Sequence, residues 1–314
     1  MRKSSSSSSK TTTKKKIGEL YGTILLKFAH FFELVLVAIS LKRIRLDSKN
    51  RTLLPKHIAF VMDGNRRHAK KKKKTIEEGH RSGAEKLSEV LRWSLHLPSV
   101  KCVSVFAFSL ENFKRSETEV KRIFEILKTE LPKLAKSEQV LEQKCEIVVS
   151  GDKELLPKDV REACEFAERW TKRTKEERGC VLNVCVAYTG QLDFSNAIEM
   201  AIQESAASRH NDSNRNDDCS SSSSSSITER TIRKHLYGNV RVSDLGEKNR
   251  EMEDIVGDVD LLVRTSGATR LSDFMTTRLE KATIVFCDVL WPDFSFMDFF
   301  KIIWEYQKQQ LRSI

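Results

Sequence analysis

From Pro55 onward the chain alternates between two kinds of block. Six short runs, His57–Met62, Lys101–Phe108, Cys145–Ser150, Val181–Ala187, Asp260–Arg264 and Thr283–Cys287, are rich in β-branched and aromatic residues. Most are nearly continuously apolar, the pattern of strands covered on both faces. Between them lie charged stretches with helical spacing, at Glu77–Leu97, Glu117–Glu142, Pro157–Arg178 and Phe194–Ala207. Strand alternating with helix predicts a single α/β domain whose central six-stranded, mainly parallel sheet is joined by right-handed crossovers.

Upstream the pattern differs. Ile17, Leu20, Tyr21, Ile24, Phe28, Phe31, Phe32 and Val35 recur at helical spacing, with Glu19, Thr23 and Lys27 off that stripe, and Leu34–Ile39 is apolar all round. The uncharged run is shorter than the roughly 20 residues that span a bilayer. A helix packed on the domain and a signal peptide ending near Ala38-Ile39-Ser40 are alternatives. The long basic leader and the absence of secreted character downstream disfavour the signal peptide. The preferred expectation is a membrane-associating helix over 17–50, because Lys3–Lys16 before it and Lys42, Arg43 and Arg45 after it suit anionic headgroups. Residues 1–16, a Ser/Thr/Lys tract, are expected to be a disordered basic tail. Residues 51–314 form the main domain, and 208–226, with seven serines from Ser220, are expected to be a disordered insertion within it.

Composition refines this picture in two ways. With 39% apolar and 32% charged residues, the 314-residue chain is neither a polytopic membrane protein nor fully disordered. The net charge of +11 includes six cations in residues 1–16, so the remainder carries only +5. Of the seven cysteines, Cys102, Cys145, Cys180, Cys185 and Cys287 lie in apolar runs and none forms a Cys-x-x-Cys pair. Buried free thiols in a reducing compartment are expected.

Ligands of open parallel sheets collect beyond the carboxyl ends of the strands. There the chain places Met62-Asp63-Gly64-Asn65-Arg66-Arg67-His68 after the first run, Ser109-Leu110-Glu111-Asn112-Phe113-Lys114-Arg115 after the second and Arg264-Thr265-Ser266-Gly267 after the fifth, with Arg270-Leu271-Ser272 close behind. Arginine forks match phosphate oxygens, and glycine lets backbone approach them. A lone carboxylate among these cations, Asp63, suits a divalent metal bridging to phosphate. His80, just beyond the Asp63 loop, is placed to be a further phosphate donor. The Lys70–Lys74 run reads as a solvated loop or as an electrostatic funnel for anions. No nucleotide-binding glycine fingerprint is present.

These residues carry a resemblance. His57-Ile58-Ala59-Phe60-Val61-Met62-Asp63-Gly64-Asn65-Arg66-Arg67, Gly79-His80, Phe106–Phe113, Arg264–Gly267 and Asp288-Val289-Leu290-Trp291-Pro292 together resemble the cis-prenyltransferase family over about residues 53–307. The likeness is strongest to the catalytic subunits of eukaryotic dehydrodolichyl diphosphate synthases. The resemblance implies a hydrophobic tunnel within the fold and head-to-tail addition of isopentenyl diphosphate to an allylic primer, usually farnesyl diphosphate, with Mg2+. It implies that Asp63 holds the metal, that Gly64, Asn65, Arg66, Arg67, His68 and His80 cradle the allylic diphosphate, and that Arg264, Arg270 and Ser272 bind isopentenyl diphosphate. Ser109, Glu111, Asn112 and Arg115 would lie between the two, Asn112 in the proton-transfer path, while Phe108 and Phe113 would wall the start of the tunnel. Each added five-carbon unit brings about 4 kcal/mol of preference for lipid, at roughly 0.8 per methylene-sized group. A long product therefore belongs in a membrane, and the resemblance implies the cytosolic face of the endoplasmic reticulum or lipid droplets.

The departures matter too. Bacterial members place a second metal carboxylate where this chain has Thr283, and an arginine where it has Ile76. A tryptophan common in the family gives way to Met275-Thr276-Thr277-Arg278, and a Tyr-Gly-Gly-Arg to Tyr188-Thr189-Gly190-Gln191. The sequence ends Arg312-Ser313-Ile314 without the Arg-x-Gly of homodimeric members. The resemblance then implies a hetero-oligomer with a non-catalytic subunit like the Nogo-B receptor. An inactive regulatory homologue, a nucleic-acid binder and a trans-prenyltransferase are the rival readings. The intact Asp-Gly-Asn motif, the near-balanced charge of the body and the lack of an Asp-Asp-x-x-Asp motif weigh against them in turn.

Overall fold

The computed structural model describes residues 53–173, 176–212, 227–237 and 256–312. The tail 1–16, the segment 17–50 and most of the serine insertion lie outside the described residues. Among the described residues, no helix is long and apolar enough to cross a membrane.

All six expected strands form: β1 (His57–Val61), β2 (Cys102–Ser109), β3 (Cys145–Ser150), β4 (Cys180–Tyr188), β5 (Leu261–Arg264) and β6 (Thr283–Phe286). Every pairing is parallel, in the order β3-β4-β2-β1-β5-β6. This parallel sheet removes the all-helical trans-prenyltransferase from consideration. Strands β1, β3, β4 and β5 are buried at every position, as continuous apolar runs require when helices cover both faces. Strand β6 departs from that expectation. It is the sheet edge, and Thr283 and Val285 are half-buried while Ile284 and Phe286 are exposed.

The helices are α1 (Asn65–Lys71), α2 (Ile76–Leu95), α3 (Glu117–Ala135), α4 (Glu138–Glu142), α5 (Lys158–Thr171), α6 (Gly190–Asp212), α7 (Glu229–Arg233) and α8 (Phe296–Arg312). Helix α2 begins with a capping box between Thr75 and Glu78. The expected helix 117–142 is two helices, because Ser137 accepts from Val140 N and caps a new start. The expected 157–178 helix stops at Thr171, beyond which Lys172–Arg178 offers no apolar position to bury. Helix α6 starts four residues earlier than its apolar pattern and runs to Asp212, into the expected insertion. Its first amides are held from a distance: Gly190 N donates to Asp273 O at 2.7 Å and Gln191 N to Asp273 Oδ2 at 2.9 Å.

A buried polar chain crosses the sheet. His57 Nε2 lies 2.7 Å from Ser104 Oγ, Asn183 Nδ2 donates to that oxygen at 3.0 Å, and Ser150 Oγ donates to Asn183 Oδ1 at 2.6 Å. Four strands are thereby tied side chain to side chain, which penalises any slipped register. The six described cysteines are free thiols, five of them buried and Cys287 half-buried, as expected; Cys219 lies outside the described residues.

Candidate active site

The sheet changes direction around β1. The chain leaves β1 for β2 on one side, and β5 later arrives on the other. Such a switch opens a crevice at the carboxyl ends of the strands, where Asp63 follows β1 and Arg264 closes β5. The Asp63 loop is clamped there. Asp63 N donates to Thr265 Oγ1 at 3.0 Å, Thr265 Oγ1 donates back to Asp63 O at 2.8 Å, and Trp291 N donates to the same carbonyl at 3.0 Å. Gly64 then turns the chain into α1 with φ at 111°, where a side chain would also press on Leu290 at 3.0–3.1 Å.

Two cavities meet at this edge. The first, of about 660 Å3, is a cationic mouth lined by Asp63, Asn65, Arg66, Arg67, Lys70, His80, Arg115 and Arg270, with Gly64, Ser266 and Gly267 backing them. The second, of about 350 Å3, runs between α2, α3 and the sheet and is lined mainly by apolar side chains, including Leu87, Phe106, Ile123, Leu127, Leu131 and Leu134. Met62, Asn65 and His80 line both, so they form the junction between a charged head site and an apolar tail site.

The Asp63 carboxylate is one-third exposed. It receives Arg264 Nη2 at 3.0 Å and faces Arg67 Nη2 at 3.8 Å. Arg67 also bonds Ser266 Oγ. Arg264 itself is buried beneath the mouth, where Nη1 donates to Ser272 Oγ at 2.8 Å and to Arg270 O at 2.5 Å. Thus Arg264 and Ser272 stand under Asp63 and bond each other, while Arg270 reaches the mouth. Asn65 Oδ1 is buried without a hydrogen-bond partner and lies against Gly83 of α2. Gly83 makes room for it, because a Cβ there would lie 3.0 Å from Asn65 Cγ and closer still to Oδ1.

Other sequence-derived candidates sit elsewhere. His68 turns away from the mouth, its Nδ1 3.2 Å from Asp293 Oδ1, tying α1 to the Trp291-Pro292-Asp293 turn. Asn112 and Ser109 bond each other, Ser109 N donating to Asn112 Oδ1 at 3.2 Å. Glu111 is exposed and pairs with Lys114 at 2.7 Å. Phe108 is buried in a cluster with Phe113 and Phe124, with ring centroids 4.9–6.0 Å apart. Beside the mouth the apolar cavity is lined by Phe106 and Ala107 and not by Phe108 or Phe113, which were expected at its start. Thr283 pairs with Leu261 at the opposite, amino-terminal edge of the sheet from Asp63.

One residue of the site escaped the sequence reading. Glu119, in the first turn of α3, is buried against Arg115, His80 and Arg66. A glutamate in a helix's first turn has an ordinary reading as a dipole partner, so no sequence signal singled it out. Burial above all lowers the His80 pKa; Arg115 and Arg66 add to this, and Glu119 opposes them.

A divalent cation has a fitting place here. Among the described residues no three candidate ligands cluster, but the partly exposed Asp63 carboxylate faces the mouth. Mg2+ is commonly held by one or two carboxylates together with substrate phosphates and water.

Fold and site together define an α/β protein built for amphiphilic ligands, with a cationic strand-end mouth for an anionic head and an apolar cavity for a tail. The comparisons agree. The prenyltransferase family model described as "Putative undecaprenyl diphosphate synthase" matches residues 61–313, and the chain belongs to this family, the cis-prenyltransferases. It is 37% identical to a tritrans,polycis-undecaprenyl-diphosphate synthase (geranylgeranyl-diphosphate specific) of Archaeoglobus fulgidus over 84% of this chain and 94% of the archaeal one. It is 38% identical to the human dehydrodolichyl diphosphate synthase complex subunit DHDDS over 81% of this chain and 67% of the human one. The crystal structure of lavandulyl diphosphate synthase from Lavandula x intermedia, in complex with dimethylallyl diphosphate, superposes with a TM-score of 0.61 at 27% identity, covering 82% of this chain and 97% of that one.

Proposed function

We propose that this chain condenses isopentenyl diphosphate onto farnesyl diphosphate and repeats the addition to build a long dehydrodolichyl diphosphate for dolichol synthesis and protein glycosylation. The observation that carries the reading is the meeting of the cationic mouth and the apolar cavity at Met62, Asn65 and His80. A primer's diphosphate lies among Arg66, Arg67 and His80 while its hydrocarbon enters between α2 and α3. Isopentenyl diphosphate occupies the Arg270 side. Ionisation of the allylic carbon–oxygen bond concentrates charge on the leaving diphosphate, where these fixed cations act more strongly than on the ground state. Asp63 would hold Mg2+, which would supply further charge neutralisation at the diphosphate. The Thr265 and Trp291 bonds keep Asp63 in place for it.

The relatives named as complex subunits support a hetero-oligomer with a Nogo-B-receptor-like subunit. The apolar helical pattern of residues 17–50 supports work at a membrane surface, on the cytosolic face of the endoplasmic reticulum or on lipid droplets. A second reading of the primer has its own support: the archaeal relatives, equally similar, are described as geranylgeranyl-diphosphate specific.

The test is incorporation of labelled isopentenyl diphosphate with farnesyl or geranylgeranyl diphosphate, in Mg2+ and phospholipid, by the full chain and Asp63→Ala, with and without the partner. Faster turnover of farnesyl diphosphate, lost in Asp63→Ala, is expected. A preference for geranylgeranyl diphosphate selects the second reading. A folded chain inactive in every lane returns the regulatory homologue.

A further inference from the structure

A carboxylate lies beneath the cations of the mouth without lining it. Glu119 comes from α3, and its side chain is only 11% exposed. Its Oε1 receives Arg115 Nη1 at 2.8 Å and lies 3.8 Å from His80 Nε2, while its Oε2 lies 3.7 Å from Arg66 Nη1. The three partners arrive from α1, α2 and the segment before α3, and all three line the mouth. A negative charge so close to an anion site opposes binding through space. Its place is explained if it orders the cations. Free arginine side chains lose about 2 kcal/mol of rotamer entropy each when fixed, and a buried carboxylate that fixes them beforehand removes that cost from binding.

His80 adds the second half of the observation. Its Nε2 is buried and makes no hydrogen bond, since 3.8 Å exceeds hydrogen-bond reach. The charged groups facing this ring are Arg66 from α1, Arg115 from the turn before α3 and Glu119 from α3, two cations against one anion. A diphosphate in the mouth reverses that balance. The ring then stands between two anions, and each ring nitrogen of an imidazolium is a donor.

We propose that Glu119 is the positioning residue of the diphosphate cradle, fixing Arg115 by its hydrogen bond and drawing Arg66 and His80 toward the mouth by charge, and that a diphosphate entering it draws one proton from solvent onto His80. The proton goes to the vacant ring nitrogen, no bond of the ligand breaks, and the step is complete on binding alone. This rests on the reading above that the mouth takes a diphosphate.

The experiment uses the full chain with labelled histidine rings, titrated by NMR with and without inorganic pyrophosphate, alongside calorimetry of pyrophosphate binding. The chain has seven histidines, and His80→Gln assigns the resonance. In the wild type the His80 pKa rises by about one unit or more when pyrophosphate binds, as an added anion a few ångströms away dictates. In Glu119→Gln that pKa falls in both states, and pyrophosphate binds about tenfold more weakly, the equivalent of one lost charge-assisted contact. Glu119→Asp restores part of each effect and serves where Glu119→Gln fails to fold. Pyrophosphate binding to Glu119→Gln as tightly as to wild type, or more tightly, marks Glu119 as a mere repulsive neighbour and overturns the positioning role. A His80 titration indifferent to bound pyrophosphate overturns the proton uptake. Failure of the folded wild type to bind pyrophosphate is a different result, which removes the diphosphate reading itself.

Discussion

Gly83→Ala separates stability from function at the junction of the two cavities. Gly83 lies within α2, so alanine there gains about 0.8–1 kcal/mol of helix propensity. The new Cβ, however, meets the Asn65 side chain 3.0 Å from Cγ and 3.2 Å from Nδ2, with Oδ1 closer still. Ordinary carbon–oxygen contact needs several tenths of an ångström more, and overpacking of this kind costs about 1–3 kcal/mol. The two effects nearly offset, leaving a net loss of about 0–2 kcal/mol. That corresponds to at most roughly 8 °C in Tm for a domain of this size. The relief must come from Asn65, whose side chain, among the described residues, is held by a single long 3.5 Å donation to Met62 O. Pushed about 1 Å, it intrudes on the point where head and tail sites join, and misplacement of that size can cost about 100-fold in rate. Circular-dichroism melting and labelled isopentenyl diphosphate incorporation, run on one preparation, test this. A small Tm change with kcat/KM down about 100-fold is expected. Wild-type kcat/KM in a folded Gly83→Ala protein would refute the placement of Asn65 at the junction.

Three further outcomes follow from the same geometry. Trp291→Phe loses the 2.8 Å bond from Nε1 to Gly83 O and part of a fully buried ring, and should lower stability by about 1–3 kcal/mol in urea titrations. Asn183→Leu removes the middle of the chain linking His57, Ser104 and Ser150 and leaves a buried hydroxyl without its acceptor. A loss of about 1–3 kcal/mol is expected, and an unchanged urea midpoint would show the chain to be dispensable. His80 has its pKa lowered in the folded state, so below its ordinary 6.5 the unfolded chain binds a proton that the folded chain resists. Stability from this group therefore falls as pH drops through about 6.5, and His80→Gln should flatten the decline in Tm between about pH 6.5 and 5.

Where the sequence was legible, one physical rule governed a short stretch of chain. Strands β1 to β5 announced themselves because burial on both faces demands continuous apolar runs, and β6 because its residues favour strands even at an exposed edge. Asp63, Gly64, Arg66 and Arg67 could be placed together at one cavity because a parallel sheet delivers its strand ends to one edge. The charged, helix-like segments 77–97 and 117–142 likewise foretold the helices that enclose the cavity, though the second divides at Ser137.

Other features depend on partners far along the chain. The start of α6 is held by Asp273, 82 residues from Gln191, and no local pattern encodes that. Glu119 was unremarkable as a first-turn glutamate until folding set it against Arg66 and His80. Arg264 has the chemistry of a phosphate fork, yet the structure buries it beneath Asp63, bonded to Ser272 and Arg270 O. Phe108 and Phe113, read as tunnel wall, instead cluster with Phe124 while Phe106 lines the cavity, because the register shift between Phe106 and Phe108 breaks the regular alternation of β2. Sequence alone thus determined the element order, the parallel sheet and the cationic edge, since each follows from side-chain chemistry at short range. Which cations are free to meet a ligand, and which carboxylate faces them, was decided only when tertiary packing brought distant charges within a few ångströms of the buried Glu119, where burial strengthens its interactions.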